Sequence, residues 1–105
     1  MSIYRGIVHY YFKKGWEEKG IKYLEVELFK AAHEYGNHHF DIYYDEKNPG
    51  HVMGTSIWNT FDEAHRFQEM WQRKEKEIME HMTKEPMREF YKLRKSMFEK
   101  SKKVA

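Results

Sequence analysis

The stretch Phe40-Asp41-Ile42-Tyr43-Tyr44-Asp45-Glu46-Lys47-Asn48-Pro49-Gly50 runs through His51-Val52-Met53-Gly54-Thr55 into Ser56-Ile57-Trp58-Asn59-Thr60-Phe61-Asp62-Glu63-Ala64-His65, and its reading decides the fold. From His38 to Asp45 the chain reads as extended. Glu46 to Gly50 places proline and glycine for a tight turn, and His51 to Trp58 returns as a second extended run. A connection this short makes the two runs an antiparallel hairpin. Thr60-Phe61-Asp62-Glu63 then has the spacing of a capping box, in which the threonine hydroxyl and the glutamate carboxylate each take up a free backbone N–H, so a helix starts there.

Upstream, Ile3 to Phe12 is dense in β-branched and aromatic residues and carries no helix cap, which predicts strand one. Lys13-Lys14-Gly15 ends it. Ile21, Leu24, Leu28, Ala31, Ala32 and Tyr35 recur at helical spacing, so helix one begins between Trp16 and Ile21 and stops at Gly36-Asn37. A strand that reaches the hairpin across a helix does so as a right-handed crossover.

Downstream, Ala64, Phe67, Trp71, Ile78 and Met82 mark the buried stripe of helix two, with Gln72 to Glu77 facing solvent and Thr83 to Pro86 breaking the helix. Met87, Phe90, Tyr91, Arg94, Met97 and Phe98 suit a final helix from Pro86 to about Lys100, since proline in a first turn loses no needed hydrogen bond. A short fourth strand is the alternative. The expected fold is therefore α+β and ferredoxin-like, β-α-β-β-α with a C-terminal helix or a short fourth strand, as a single domain over residues 1–105.

Residue alternation bears on assembly. A strand with one face in water shows apolar residues at every second position only. Strand one instead has Tyr4, Val8, Tyr10 and Phe12 on one parity and Ile7, His9 and Tyr11 on the other, and strand three has Val52 and Trp58 against Met53 and Ile57. Two helices cover one face. A symmetric partner sheet is the simplest cover for the second, which predicts a homodimer.

Composition narrows the function classes. With 40% hydrophobic and 34% charged residues the chain is globular in balance. No apolar run approaches the ~20 residues of a membrane span, and Met1 to Phe12 lacks the marks of a signal peptide, so the expectation is a cytoplasmic protein with no membrane partner. The absence of cysteine removes disulfide and thiolate chemistry. A net charge of +2 argues against nucleic acid as a partner, although the residues from Lys84 onward hold 8 basic against 3 acidic groups, a charge of +5 on a body of −3. A solvated helix face is the plainer reading of that tail.

Catalytic motifs are sparse. His38 and His39 are neighbours on a strand and point to opposite faces, so they cannot chelate one ion. His65 with Glu69, and Glu77 with His81, stand four apart and read as surface ion pairs; no HExxH motif accompanies them, and no metal site is expected. No GxxxxGK[ST] or GxGxxG loop is present, and Ser2, Ser56, Ser96 and Ser101 lie in no nucleophile-elbow sequence. What stands out is 3 Trp, 8 Tyr, 7 Phe and 7 His in so short a chain. Any one ring is more often core, but together such rings, with polar tips, are the material of a pocket for a small hydrophobic or aromatic molecule.

The run from Phe40 to Gly50, continued from Ser56 to His65, resembles the antibiotic-biosynthesis monooxygenase-like family: a strand, an acidic-Pro-Gly hairpin and a strand ending in tryptophan lead into helix two. The resemblance implies a dimeric α-β barrel with a pocket between sheet and helices. It also implies either cofactor-free oxidation of aromatic polyketides or quinols, or, in a related branch, haem binding. That branch uses a strand-one asparagine, a tryptophan closing strand three and a helix-two histidine. Only Trp58 carries over; strand one has no asparagine, the histidine position falls on Gln68 with His65 one turn earlier, and Ser56 stands where relatives commonly have glutamate.

The leading expectation is thus a small-molecule-binding dimer with monooxygenase-like activity and no cofactor. His9 or His65 would accept a proton, and Tyr11, Trp58, Phe67 and Trp71 would hold the ring. The alternatives are a non-catalytic ligand-binding or structural dimer, and a haem-binding protein with His65 as ligand.

Overall fold

A computed structural model describes residues 3–37 and 39–97. Strand β1 covers Tyr4–Tyr11. Helix α1 spans residues 17–34 as α-helical Glu17–Tyr23, a π-helical stretch Leu24–Leu28 and α-helical Phe29–Glu34. The hairpin is β2, Phe40–Asp45, and β3, Asn48–Trp58; helix α2 is Phe61–Lys74; β4 is Met87–Lys92. The four strands pair antiparallel throughout in the order β2-β3-β1-β4. The start of strand two at His38 lies outside the described residues.

The hairpin is tighter than its sequence suggests. Only Glu46 and Lys47 form the turn, because Asn48 already pairs with Asp45 across a register shift. Helix α2 starts where the capping box puts it. Thr60 Oγ1 accepts from the Glu63 backbone N–H at 3.1 Å, and the same hydroxyl donates to the Glu63 carboxylate at 3.0 Å, so that carboxylate holds the cap side chain rather than a backbone group.

Two expectations are corrected. Helix two does not run to Met82: the α-helix ends at Lys74 and tightens into 3₁₀ turns at Glu75–Glu77 and Met79–His81. This delivers Met82 to a bridge with Phe12 and buries Glu75 against Arg88, whose guanidinium donates to its carboxylate. The helix favoured after Pro86 is instead a short strand over residues 87–92, the alternative form of the ferredoxin-like fold. Its residues pair with β1 from Met87 opposite His9 to Lys92 opposite Tyr4, and the edge of β1 opposite β3 needs such a partner for its backbone groups. Residues 98–100 of the expected helix lie outside the described residues.

Residues of even number in β1 and β3 face the helices. Tyr10, Phe12, Val52 and Trp58 join Leu24, Leu28, Ala31, Ala32, Ala64, Phe67, Trp71 and Met82 in one core. Each large side chain so buried contributes about 1.5–3 kcal/mol. Gly20 is needed here, since a Cβ on it would lie 2.5 Å from the Phe12 ring. Gly36, at φ +84°, ends α1 in a conformation that favours glycine.

Residues of odd number face the other way, and among the described residues no helix covers them. Ile7, Met53 and Ile57 are half-buried, and Tyr43 and Tyr91 are 51% and 54% exposed. Residues 93–97 pass beside one end of this face, where Ile3, Arg5, Ile57 and Tyr91 line an open cavity of about 650 Å³ with them. No helix among the described residues is long and apolar enough to cross a membrane.

Candidate functional site

Strand parity divides the expected site residues. Trp58, Phe67 and Trp71 come together on the helix side as a ladder, with ring centroids 5.1 Å and then 6.5 Å apart. All three are buried, and both indole N–H groups are satisfied: Trp58 Nε1 donates to Ser56 Oγ at 2.8 Å and Trp71 Nε1 to the Tyr10 hydroxyl at 2.9 Å. Burial, with the nearby Glu75 carboxylate adding to it, raises the Tyr10 phenol and keeps it neutral. Helix-side cavities of about 220 Å³, walled by Phe12, Trp16, Tyr23 and Ile78, and about 320 Å³, between α2 and Arg88, are lined by none of the three rings.

His9 and Tyr11 do not join them. As odd residues of β1 they project from the opposite face, so one pocket holding His9, Tyr11, Trp58, Phe67 and Trp71 does not form. His65 is apart from both groups. It is 53% exposed on α2, paired with Glu69 at 3.2 Å and stacked on Phe61, which is the surface ion pair its spacing predicts. The Glu77–His81 pair is absent because that segment is not α-helical; Glu77 accepts from the Tyr23 hydroxyl at 3.2 Å, and His81 stacks on Trp16 at 3.5 Å. A haem ligand set does not fit these residues, since His65 pairs with a carboxylate in solvent and the rings near Trp58 fill their own space.

The open sheet face carries the cluster richest in chemistry. His9 sits on the central strand diagonal to His51 of β3 and to Glu89 of β4, a placement that long side chains bridge across a sheet. Its Nδ1 lies 2.9 Å from His51 Nε2, and its Nε2 lies 2.8 Å from Glu89 Oε1. Glu89 also accepts from the Tyr91 hydroxyl at 2.8 Å. Hydrogen bonds from Tyr91 and His9 hold the Glu89 carboxyl below its usual value.

At the other end, His51 Nδ1 faces Asp45 Oδ2 at 3.5 Å. The Lys47 backbone N–H, with help from His51, holds Asp45 below the usual carboxylate range. Tyr11 stacks on His51 with centroids 4.9 Å apart and planes 9° apart, and Lys84 Nζ stands 4.0 Å over the Tyr11 ring. Thr83 N donates to Tyr11 O at 2.7 Å, which fixes the chain that carries Lys84. The side chains of His9 and His51 are 16% and 25% exposed, sheltered yet reachable.

Sequence reasoning singled out His9 and Tyr11 here and missed His51, Glu89 and Asp45. His9 and His51 are 42 positions apart and His9 and Glu89 are 80 apart, and only the strand register brings them together. The one available signal was parity, once Tyr11 is known to pair with His51. Among the described residues, no group of three or more His, Cys, Asp or Glu converges as metal ligands.

No family model matches the sequence, and no curated protein matches it. Solved structures do resemble it. A chain described as a candidate antibiotic biosynthesis monooxygenase from Nitrosomonas europaea superposes with a TM-score of 0.72 at 19% identity, over 85% of this chain and 88% of that one. A protein of unknown function from the same organism gives 0.75 at 14% identity, over 91% and 93%. SnoaB, a cofactor-independent oxygenase from Streptomyces nogalater crystallised as a point mutant, gives 0.68 at 9% identity, over 90% and 96%. Likeness at such identities speaks for backbone architecture: the chain has the ferredoxin-like α+β fold of the antibiotic biosynthesis monooxygenase structures, as its hairpin-to-helix stretch leads one to expect.

Proposed function

We propose that the chain is a single-domain, homodimeric small-molecule-binding protein with cofactor-independent monooxygenase activity on an aromatic or quinol-type substrate. The observation that carries this reading is the His9–His51 pair, held between the carboxylates of Glu89 and Asp45 and stacked on Tyr11, on a sheet face that no helix among the described residues covers. A second copy packed sheet to sheet would exclude water from that cluster and supply the second wall of a pocket.

In such a site the substrate ring lies along the Tyr11 edge and its hydroxyl proton passes to the histidine pair. Loss of the proton raises the electron density of the ring, so that the ring itself can reduce dioxygen, one oxygen atom entering the product and the other leaving as water. Trp58, Phe67 and Trp71 support the same strands from behind and keep the histidines in register. The oxygenase fold of SnoaB is consistent with chemistry of this class.

Oxygen consumption by the purified protein with a panel of quinols and hydroxylated polycyclic aromatics is the test. Uptake with at least one member is expected, falling about 10²-fold or more in His9→Ala, the usual scale for loss of acid–base assistance. No uptake with any member would leave the non-catalytic binding dimer as the better account.

A further inference from the structure

The strand register lays three side chains in one row at the end of the open sheet face. Arg5 of β1 stands opposite Ile57 of β3 on one side and Tyr91 of β4 on the other. Past β4, the Leu93 N–H donates to the Ile3 carbonyl at 2.7 Å, which fastens residues 93–97 beside the row. Row and tail together wall the open cavity of about 650 Å³, a size that takes a small ligand.

Two properties of this lining occur together. Its apolar side chains are mainly aliphatic, Ile3, Ile57, Leu93 and Met97 beside the single ring of Tyr91, and Leu93 and Met97 are 48% and 72% exposed. One exposed apolar residue needs no explanation, but several gathered in a concavity mark a binding surface. Its charged side chains are Arg5, Lys92, Arg94 and Lys95, and no carboxylate lines it. Among the described residues, the Lys and Arg side chains that pair with carboxylates are Arg66, Lys74 and Arg88, while Lys92 stands 5.9 Å from the Tyr4 ring centroid. Arg5, Arg94 and Lys95 thus surround an aliphatic wall with charge that no described carboxylate compensates.

We propose that this cavity binds one anionic amphiphile of the fatty-acid class, its carboxylate held by Arg5, Arg94 and Lys95 and its alkyl chain laid on Ile57, Leu93 and Met97. The charges are complementary, and the fork of an arginine matches the two oxygens of a carboxylate. Aliphatic walls suit an alkyl chain, and the flexible thioether of Met97 adapts to its shape. A concavity takes up a single molecule, whereas a bilayer is met by a flat or protruding surface. Arg5 lies about 13 Å along β1 from His9 at the rise of a strand, so the site is separate from the histidine cluster and stands independently of the oxygenase reading. A second copy packed on the open face is the competing occupant, and its sheet would shut the cavity.

Calorimetric titration of the purified full-length protein with decanoate, kept below its micelle concentration, tests this. Saturable binding of one decanoate per chain is expected, with none of acetate, which has the head without the chain. Decyltrimethylammonium should bind weaker by about tenfold or more, since it sets a like charge among three cations. Arg5→Gln and Arg94→Gln should each weaken decanoate by about two- to fivefold, the scale of exposed ion pairs, and that effect should fade at high salt. Met97→Ser should weaken it at every salt concentration. These side chains are exposed, so the variants keep the fold, which circular dichroism checks. Decanoate that fails to bind, binds without saturation or binds no better than decyltrimethylammonium would overturn the proposal. Loss of binding in His9→Ala would do the same by placing the ligand at the histidine cluster. Light scattering separates the occupants: a molecular mass unchanged by decanoate is expected, and a dimer split by decanoate would assign the cavity to a second copy.

Discussion

Trp71 donates its indole N–H to the Tyr10 hydroxyl at 2.9 Å, joining α2 to the central strand across 61 positions of sequence, with both residues essentially removed from solvent. This pairing lets two rings with polar tips fill the space between sheet and helices. Replacing Tyr10 by Phe strands a buried donor, which costs about 1–3 kcal/mol. Urea denaturation followed by tryptophan fluorescence should show a lower midpoint with an unchanged slope, and an unchanged midpoint would mean that the indole finds another acceptor.

Gly20 faces the Phe12 ring with no space for a methyl group. Gly20→Ala should therefore destabilise the fold by about 1–3 kcal/mol even though alanine is the better helix former by nearly 1 kcal/mol. Each kcal/mol lowers the melting temperature by roughly 4–8 °C at this size, which calorimetry can read. An increase in melting temperature would show that α1 moves off the sheet at low cost.

The uncovered sheet face gives the dimer its own test. Light scattering on a sizing column should return twice the chain mass for the native protein, and Met53→Lys or Ile57→Lys should return the chain mass with a native circular dichroism spectrum. Either charge would otherwise be buried without a partner against the second sheet. A native protein that elutes as a monomer at micromolar concentration would remove the partner sheet from the proposal.

Glu89 titrates below its usual value of 4.5 because its carboxylate accepts from Tyr91 and His9. A depressed carboxyl contributes stability that is present above the unfolded-state value and is lost as the pH falls through the folded-state value. The stability difference between native protein and Glu89→Gln should accordingly be constant above about pH 5 and close as the pH drops below 4.5. A gap that widens in acid would mean that Glu89 is not the charged acceptor of His9.

His65 makes an exposed ion pair with Glu69, of the kind worth about 0–1 kcal/mol. His65→Ala should shift stability by no more than about 0.5 kcal/mol. Added hemin should give the same spectrum with native protein and variant. A sharp Soret band that disappears in His65→Ala would restore the haem reading.

The sequence by itself determined the element order from β1 to α2, the hairpin between β2 and β3, the Thr60 cap and the buried stripe of Ala64, Phe67 and Trp71 on helix two. Each of these is a local matter: strand and helix periodicity, turn chemistry and capping operate within a few residues. It also showed, through the apolar residues on both parities of β1 and β3, that the sheet has two faces to cover. Residues 87–92 went the other way from their helical pattern because an unpaired edge of β1 stood open beside them, and a sheet edge outweighs weak helix propensity. The same register decided the site. His9 was visible as a histidine on strand one, but Glu89 and His51 reach it only because β4 and β3 lie on either side of β1 with diagonal neighbours in step. Contacts spanning 42 and 80 positions have no signature in one chain of letters. They exist because antiparallel pairing brings side chains of matching parity onto one face, and that pairing is a property of the folded sheet.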